Sequence, residues 1–214
     1  PPPGRTQQLL SRLRDTHVLY FSPAAGQLDR SYLKKGKKVR PNITAYTLPP
    51  TWVPVEETYG RLFRPGQRKI GRFIRSVAAR HRFRDPLLWA TDPRQVHLLD
   101  LLDYGGLVYD CDREWEDLPL DWEGCLAGAA DVVLAAPPLL ARWGLLTGKK
   151  AGCYPGLEDQ LTGAIPQQGV SLVQDGKVIT AQGPGAAFDF GFYLVKTLAG
   201  AAREQEVRHG TYYR

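Results

Sequence analysis

PLLWATDPRQVHLLDLLDYGGLVYDC, residues 86–111, decides the fold. Two short apolar runs, PLLWAT (86–91) and GLVYDC (106–111), read as buried strands. Between them, DPRQVHLLDLL (92–102) reads as a helix, with Asp92 as N-cap and Pro93 at the first helical position. Toward the carboxyl end the alternation continues. Residues 121–130 read as a helix and DVVLAA (131–136) as a strand; PPLLARWG (137–144) reads as a helix stopped by Gly144. Strands alternating with helices predict an α/β fold with a mainly parallel sheet.

Toward the amino end, RTQQLLSRLR (5–14) reads as a short helix and HVLYFSP (17–23) as a buried strand. Residues 29–41 form a Lys/Arg-rich loop or edge. NITAYTL (42–48) alternates and is β-branched, so it reads as a strand that PPTWVP then breaks. GQRKIGRFIRSVAARHR (66–82) reads as a helix with Ile70, Phe73, Ile74 and Val77 at helical spacing. The character changes near residue 145. VSLVQDGKVIT (170–180) is a hairpin about an Asp-Gly turn. QGPGAAFDFGFYLVKTLAG (182–200) is a Gly-Pro-Gly turn opening a long helix, with Phe188, Phe192, Val195 and Leu198 on its apolar face and Gly200 at its end. No internal repeat is visible.

The chain has 214 residues, 43% apolar and 23% charged, which excludes wholesale disorder. Methionine is absent even at position 1, so the chain is expected to be processed or a fragment. Its opening, PPPGRTQQ, lacks the apolar segment of a signal peptide. Residues 1–85 carry a net charge of +13 and residues 86–214 a net charge of −7. Such asymmetry suggests an anionic partner for the first part, or simply a solvated basic surface. Cys111, Cys125 and Cys153 form no CxxC and cannot all pair, which fits a reducing, cytoplasmic setting. No apolar run is long enough to span a bilayer.

Four constellations could carry chemistry. From Arg61 to Arg84 there are nine Lys/Arg and no acid, Arg72 and Arg75 among them. A basic amphipathic helix of this kind can lie at an anionic membrane surface or bind a lipid-linked acceptor, or its arginines can simply face water. No nucleic-acid motif accompanies the charge, so no nucleic-acid partner is expected. In VYDCDREWEDLPLDWE (108–123), Asp110, Asp112 and Glu114 follow a buried strand. A carboxylate there could act as general base toward a hydroxyl, or serve only as cap and surface charge. No paired-His or HxxE pattern supports a metal site. The turn Gly183–Pro184–Gly185 could bring backbone N–H groups to an anion. Cys153, before a Pro-Gly turn, is either a reactive thiol or a structural one, and no histidine lies near it in sequence.

Two family resemblances follow from these segments. GRTQQLLSRLRDTHVLYFSP, NITAYTLPP, LLWATDPRQVHLLDLLDYGGLVYDCDREW and CLAGAADVVLAAPPLLARWG resemble the amino-terminal, acceptor-binding half of GT-B-type bacterial glycosyltransferases, over residues 4–144. The family's amino-terminal loop usually reads Arg-Pro-Gln-Gln; here Arg5 and Gln7 match and Thr6 replaces the proline. Its strand, Tyr-Asp-Cys and acidic loop match Tyr109, Asp110, Cys111, Asp112 and Glu114. The resemblance implies sugar transfer from a nucleotide-sugar to a sugar or lipid-linked acceptor. Arg5, Gln7, Arg72 and Arg75 would bind acceptor, and Asp110 or Asp112 would be the base. The donor domain should follow residue 144 and does not, so this chain is expected to bind no cofactor and to transfer little by itself.

GLLTGKKAGCYPGLEDQLTGA and VQDGKVITAQGPGAAFDFGFYLVKTLAG resemble the carboxyl-terminal part of the ThiJ/PfpI family, over residues 134–207. That family implies a flavodoxin-like sandwich and glyoxalase, deglycase or peptidase-like activity from a cysteine on a strand-to-helix elbow, in a pattern like Ile-Cys-Ala-Ala-Pro. Here Val133, Leu134, Ala135, Ala136 and Pro137 align with it, so Leu134 holds the nucleophile position. Tyr154 stands where some members have histidine, and the family's amino-terminal glutamate has no counterpart.

The expectation is a Rossmann/flavodoxin-like three-layer α/β sandwich with a mainly parallel sheet, plus a carboxyl-terminal hairpin and helix. Residues 1–144 would be the acceptor domain and 145–214 a ThiJ/PfpI-like segment on the same sheet. The first functional expectation is a glycosyltransferase-like, incomplete enzyme, cytoplasmic and peripheral to the inner membrane. The alternatives are a ThiJ/PfpI-like protein without its nucleophile, and a non-enzymatic module that uses the basic face.

Overall fold

The computed structural model describes residues 10, 15–51, 60–111, 113, 115, 118 and 120–212. The chain divides into two compact units, one ending at Leu134 and one beginning at Ala135.

Among the described residues, the first unit holds two sheets. Strand β1 (Val18–Ser22) pairs in parallel with β3 (Ile43–Thr47), and β2 (Lys37–Arg40) lies antiparallel to β3 at the edge. Helix α1 (Gly60–Arg80) follows, six residues longer at its start than its sequence pattern predicts. The helix runs through Pro65. Its buried positions Phe63, Gln67, Ile70 and Val77 are the inward stripe of a 3.6-residue period. Phe73 packs edge-on against Phe21, Tyr32 and Tyr46.

The second sheet is all parallel, in the order β4 (Leu87–Ala90), β5 (Gly106–Asp110), β6 (Val132–Leu134). The expected strands are present; the outer two are trimmed at both ends, and β5 begins at Gly106 as read and loses only residue 111. Central β5 is buried from Leu107 to Asp110, with Leu107 and Tyr109 at 0% exposure. Burying a leucine of this kind contributes roughly 1.5–3 kcal/mol. The segment after β4 is a 3-10 helix, Pro93–Leu101, where an α-helix was expected. Its start is as read: Asp92 caps it, Pro93 is its first residue, and Gln95 completes a capping box. Helix α2 (Leu120–Ala129) leads into β6. His97 of the 3-10 helix is held edge-on between Phe63 of α1, at 4.7 Å, and Trp122 of α2, at 4.6 Å.

The second unit begins with α3 (Pro137–Arg142). Strands β7 (Lys150–Ala151) and β8 (Ile165–Pro166) form a short parallel pair. Strands β9 (Leu172–Asp175) and β10 (Val178–Ala181) form the expected hairpin about Gly176 and Lys177. The Gly-Pro-Gly turn opens α4 (Ala187–Ala199), and a further helix, α5 (Ala201–Gly210), follows Gly200.

The α/β class and the predominance of parallel pairing hold. The strands are distributed over four small sheets, and the hairpin pairs only with itself among the described residues. The tail strands are two to four residues long and find their partners within the tail.

Candidate functional site

The carboxyl edge of a parallel sheet is where α/β proteins place their ligands, because the strand ends and the following loops converge there. At that edge of β4-β5-β6 the structure gathers several ionisable groups. Asp110 ends β5 with 0% exposure and accepts a hydrogen bond from Trp89 Nε1 of β4 at 3.2 Å. In the β5–β6 register Asp110 is the partner of Leu134. Cys111 follows, buried, and its N–H donates to the Leu134 carbonyl at 2.8 Å. Its thiol lies 3.1 Å from the Arg113 carbonyl and 3.9 Å from Oε1 of Glu123, a buried residue of α2. Burial foremost, then contact with Cys111 and the nearby Glu123 and Asp92, pushes the Tyr109 phenol far up, so it stays protonated.

At the end of β4, Asp92 is occupied by structure. Its carboxylate accepts from the Arg94 N–H at 2.9 Å and is gripped by the Arg94 guanidinium. That hydrogen bond raises the Arg94 pKa further above its ordinary value. Arg94 and Arg113 both lie over the Trp115 ring, at 5.7 and 5.0 Å.

The two sites read from the sequence fare differently. Asp110 stands at the strand end as read, but enclosed and hydrogen-bonded to an indole, which is the setting of a structural acceptor. Asp112, Glu114, Arg5 and Gln7 lie outside the described residues. Arg72 and Arg75 are exposed on α1. Arg75 Nη1 donates to the Leu101 carbonyl at 2.6 Å, and Arg72 Nε to the Arg68 carbonyl at 3.4 Å. The apolar side of this helix was expected to be available to a headgroup boundary. Instead Ile70 and Val77 are buried, and Phe73 packs on the β1–β3 aromatics.

Leu134 ends β6, and α3 begins three residues later, so a strand leads into a helix where the elbow was expected. The residue is half-buried, and its side chain is a hydrocarbon. In the second unit Tyr154 and Gly183 are neighbours. A Cβ on Gly183 would lie 2.9 Å from Tyr154 Cδ2, and Gly183 has φ +149°, a conformation that L side chains rarely adopt. Sequence reading singled out both residues without linking them. The turn that follows uses its own donors: the Ala186 N–H binds the Gly183 carbonyl at 3.0 Å.

Cys153 is buried beside this region, following Gly152, whose N–H donates to buried Thr180 Oγ1 at 2.8 Å. Burial pushes the Cys153 thiol up, and the Glu158 carboxylate adds to the shift. A thiol held protonated is a poor nucleophile. Among the described residues no group of three or more His, Cys, Asp or Glu could hold a metal ion. No helix among them is long and apolar enough to cross a membrane.

Residues 130–197 match the model of the DJ-1/PfpI family. Among curated proteins, the chain is 36% identical to protein dj-1beta of Drosophila melanogaster over 84 residues, which is 39% of this chain and 45% of that protein. It is 37% identical to protein DJ-1 homolog B of Arabidopsis thaliana over 82 residues, 37% of this chain and 19% of that protein. The chain thus spans less than half the length of these relatives. Among solved structures, Drosophila melanogaster DJ-1beta aligns with a TM-score of 0.38 at 26% identity, over 50% of this chain and 64% of that one. A ThiJ/PfpI family protein from Pseudomonas syringae aligns with a TM-score of 0.42 at 25% identity, over 50% and 49%. None of these similarities supports the glycosyltransferase resemblance. The ThiJ/PfpI resemblance of the carboxyl-terminal part of the chain stands, carried by residues 130–197.

Proposed function

We propose that this protein is a DJ-1/PfpI-related chain that lacks the thiol chemistry of the elbow. One observation carries the reading: Leu134 ends β6 at the position where the family resemblance implies the nucleophilic cysteine. A leucine side chain has no lone pair with which to attack a carbonyl. The two buried thiols do not replace it, and the exposed third thiol, Cys125, lies on α2 and away from the strand-to-helix elbow in sequence. Cys153 is buried with its thiol pushed up, and Cys111 is buried with its sulfur against the Arg113 carbonyl. The polar groups Asp92 and Asp110 at the strand ends are engaged in capping and hydrogen bonds, which favours a structural role for them.

Consumption of methylglyoxal, a small reactive dicarbonyl, tests this reading. The protein is expected to consume it no faster than a control protein of matched lysine, arginine and exposed-cysteine content. Leu134→Cys is expected to raise the rate above that control, because it places a thiol at the end of β6. Turnover by the unaltered protein that vanishes in Cys111→Ala, Cys125→Ala or Cys153→Ala would overturn the proposal.

A further inference from the structure

We propose that residues 28–40 form a contact surface for an anionic lipid bilayer. Three apolar side chains in this segment face solvent: Leu28 at 87% exposure, Leu33 at 69% and Val39 at 48%. Among them, within residues 34–40, stand five cations, all exposed. Among the described residues, no contact-distance ion pair reaches any of the five, and Lys34 attracts Asp29 from further off. The segment's single acid, Asp29, is engaged locally. Its carboxylate accepts the N–H of Ala25 at 2.9 Å and of Ser31 at 2.7 Å, which holds the preceding turn.

The segment has a fixed shape. Residues Ser31–Leu33 form a 3-10 turn, and β2 pairs with β3 on one side only. Gly36 lies flat against the Tyr46 ring, where a Cβ would overlap the aromatic carbons. All four β2 residues are exposed, so side chains of both β2 faces reach solvent.

Charge complementarity and exposed apolar groups together select the occupant. A phosphate polymer engages cations alone and gives exposed leucines nothing to enter. Lysines on an edge strand discourage strand addition, but that role does not need leucines beside them. An anionic bilayer uses both: headgroups attract the cations while the leucines enter the acyl boundary. Helix α1 cannot supply the second component, because its apolar side is packed inside the first unit.

Co-sedimentation of the full chain with vesicles tests the proposal. The protein is expected to stay with phosphatidylcholine vesicles that contain about 30% phosphatidylglycerol and not with pure phosphatidylcholine. Each cation near the surface contributes about fivefold, so Lys37→Glu with Lys38→Glu should lower the partition coefficient at least about 25-fold. Leu28→Ala with Leu33→Ala should lower it about tenfold with an unchanged circular dichroism spectrum. No retention on the anionic vesicles at low salt overturns the proposal. So does retention that Leu28→Ala with Leu33→Ala leaves intact and that single-stranded nucleic acid abolishes, which would mark a general polyanion surface. Vesicle-independent self-association through Leu28 and Leu33 would overturn it as well.

Discussion

Replacing Trp89 by phenylalanine removes the Nε1 donor that lies 3.2 Å from Asp110 Oδ2. Asp110 is fully enclosed, so water cannot take over that hydrogen bond without opening the sheet edge. A hydrogen bond to a charged group is worth about 1.5–3 kcal/mol, and leaving a buried carboxylate short of a donor sits at the upper part of that range. Trp89→Phe is therefore expected to cost about 2 kcal/mol. For a chain of this length that is a drop of about 4–8 °C in Tm. The loss has two parts, because the smaller ring also gives up packing. A double-mutant cycle with Asp110→Asn separates them. The asparagine keeps the size of the side chain and removes its charge, so the part that depends on the Trp89–Asp110 pair appears as coupling. Urea unfolding followed by far-ultraviolet circular dichroism gives the four stabilities without relying on the fluorescence of the deleted indole. A coupling of about 1 kcal/mol or more is expected. A coupling within about 0.5 kcal/mol of zero would refute the reasoning, and with it the reading of Asp110 as a structural acceptor rather than a base free to act on a hydroxyl.

Two further outcomes follow from the geometry. Gly183→Ala must adopt φ near +149° and place a methyl group against the Tyr154 ring, so it should cost about 1–3 kcal/mol in urea unfolding; adding Tyr154→Ala should recover only the steric share, and a neutral Gly183→Ala would contradict the strain argument. Burial holds the His97 pKa below its ordinary 6.5, with Arg64 adding to the shift and Asp121 opposing it, and its Nε2 has no hydrogen-bond partner among the described residues. The unfolded chain therefore takes up this proton first as the pH falls. Stability from neutral His97 is fully present above pH 6.5 and declines below it. His81, also shifted down by burial, acts with the same sign. Urea midpoints at neutral and mildly acidic pH should show a smaller acid loss for His97→Phe than for the unaltered protein, and an equal loss would contradict the assignment.

The elements that sequence reading placed well are those with local causes. The runs ending at Ala90 and Asp110 are strands because each is short, apolar and closed by a turn. Asp92 and Pro93 start a helix because capping is local chemistry. Which helix follows is not local. Packing against α1 and α2 decides it, and His97 wedged between Phe63 and Trp122 marks that contact. Sequence reading starts α1 at Gly66, directly after Pro65; the helix runs through that proline, and the buried Phe63 carries the inward stripe past it. Helix α5 was missed because Gly200 read as an end, and it separates two helices instead. The two-residue strands β7 and β8 are too short to leave a pattern.

At the site, Leu134 was legible because its neighbours Val133, Ala135, Ala136 and Pro137 carry the elbow pattern in sequence. The enclosure of Asp110 was not, because its indole partner lies 21 residues away on the next strand. Nor was the meeting of Tyr154 with Gly183, two residues 29 apart, which only the folded second unit brings together. The Arg-rich helix looked amphipathic because it is amphipathic. The sequence does not say whether its apolar side meets a membrane or, as here, the β1–β3 aromatics.

The most direct measurement is the rate of methylglyoxal loss with the unaltered protein, with and without prior alkylation by iodoacetamide. Leu134 at the end of β6 predicts a rate equal to that of a control protein of matched lysine, arginine and exposed-cysteine content, treated in the same two ways. A rate above that control that alkylation abolishes would contradict the account, because it would require a reactive thiol in a chain whose elbow has none.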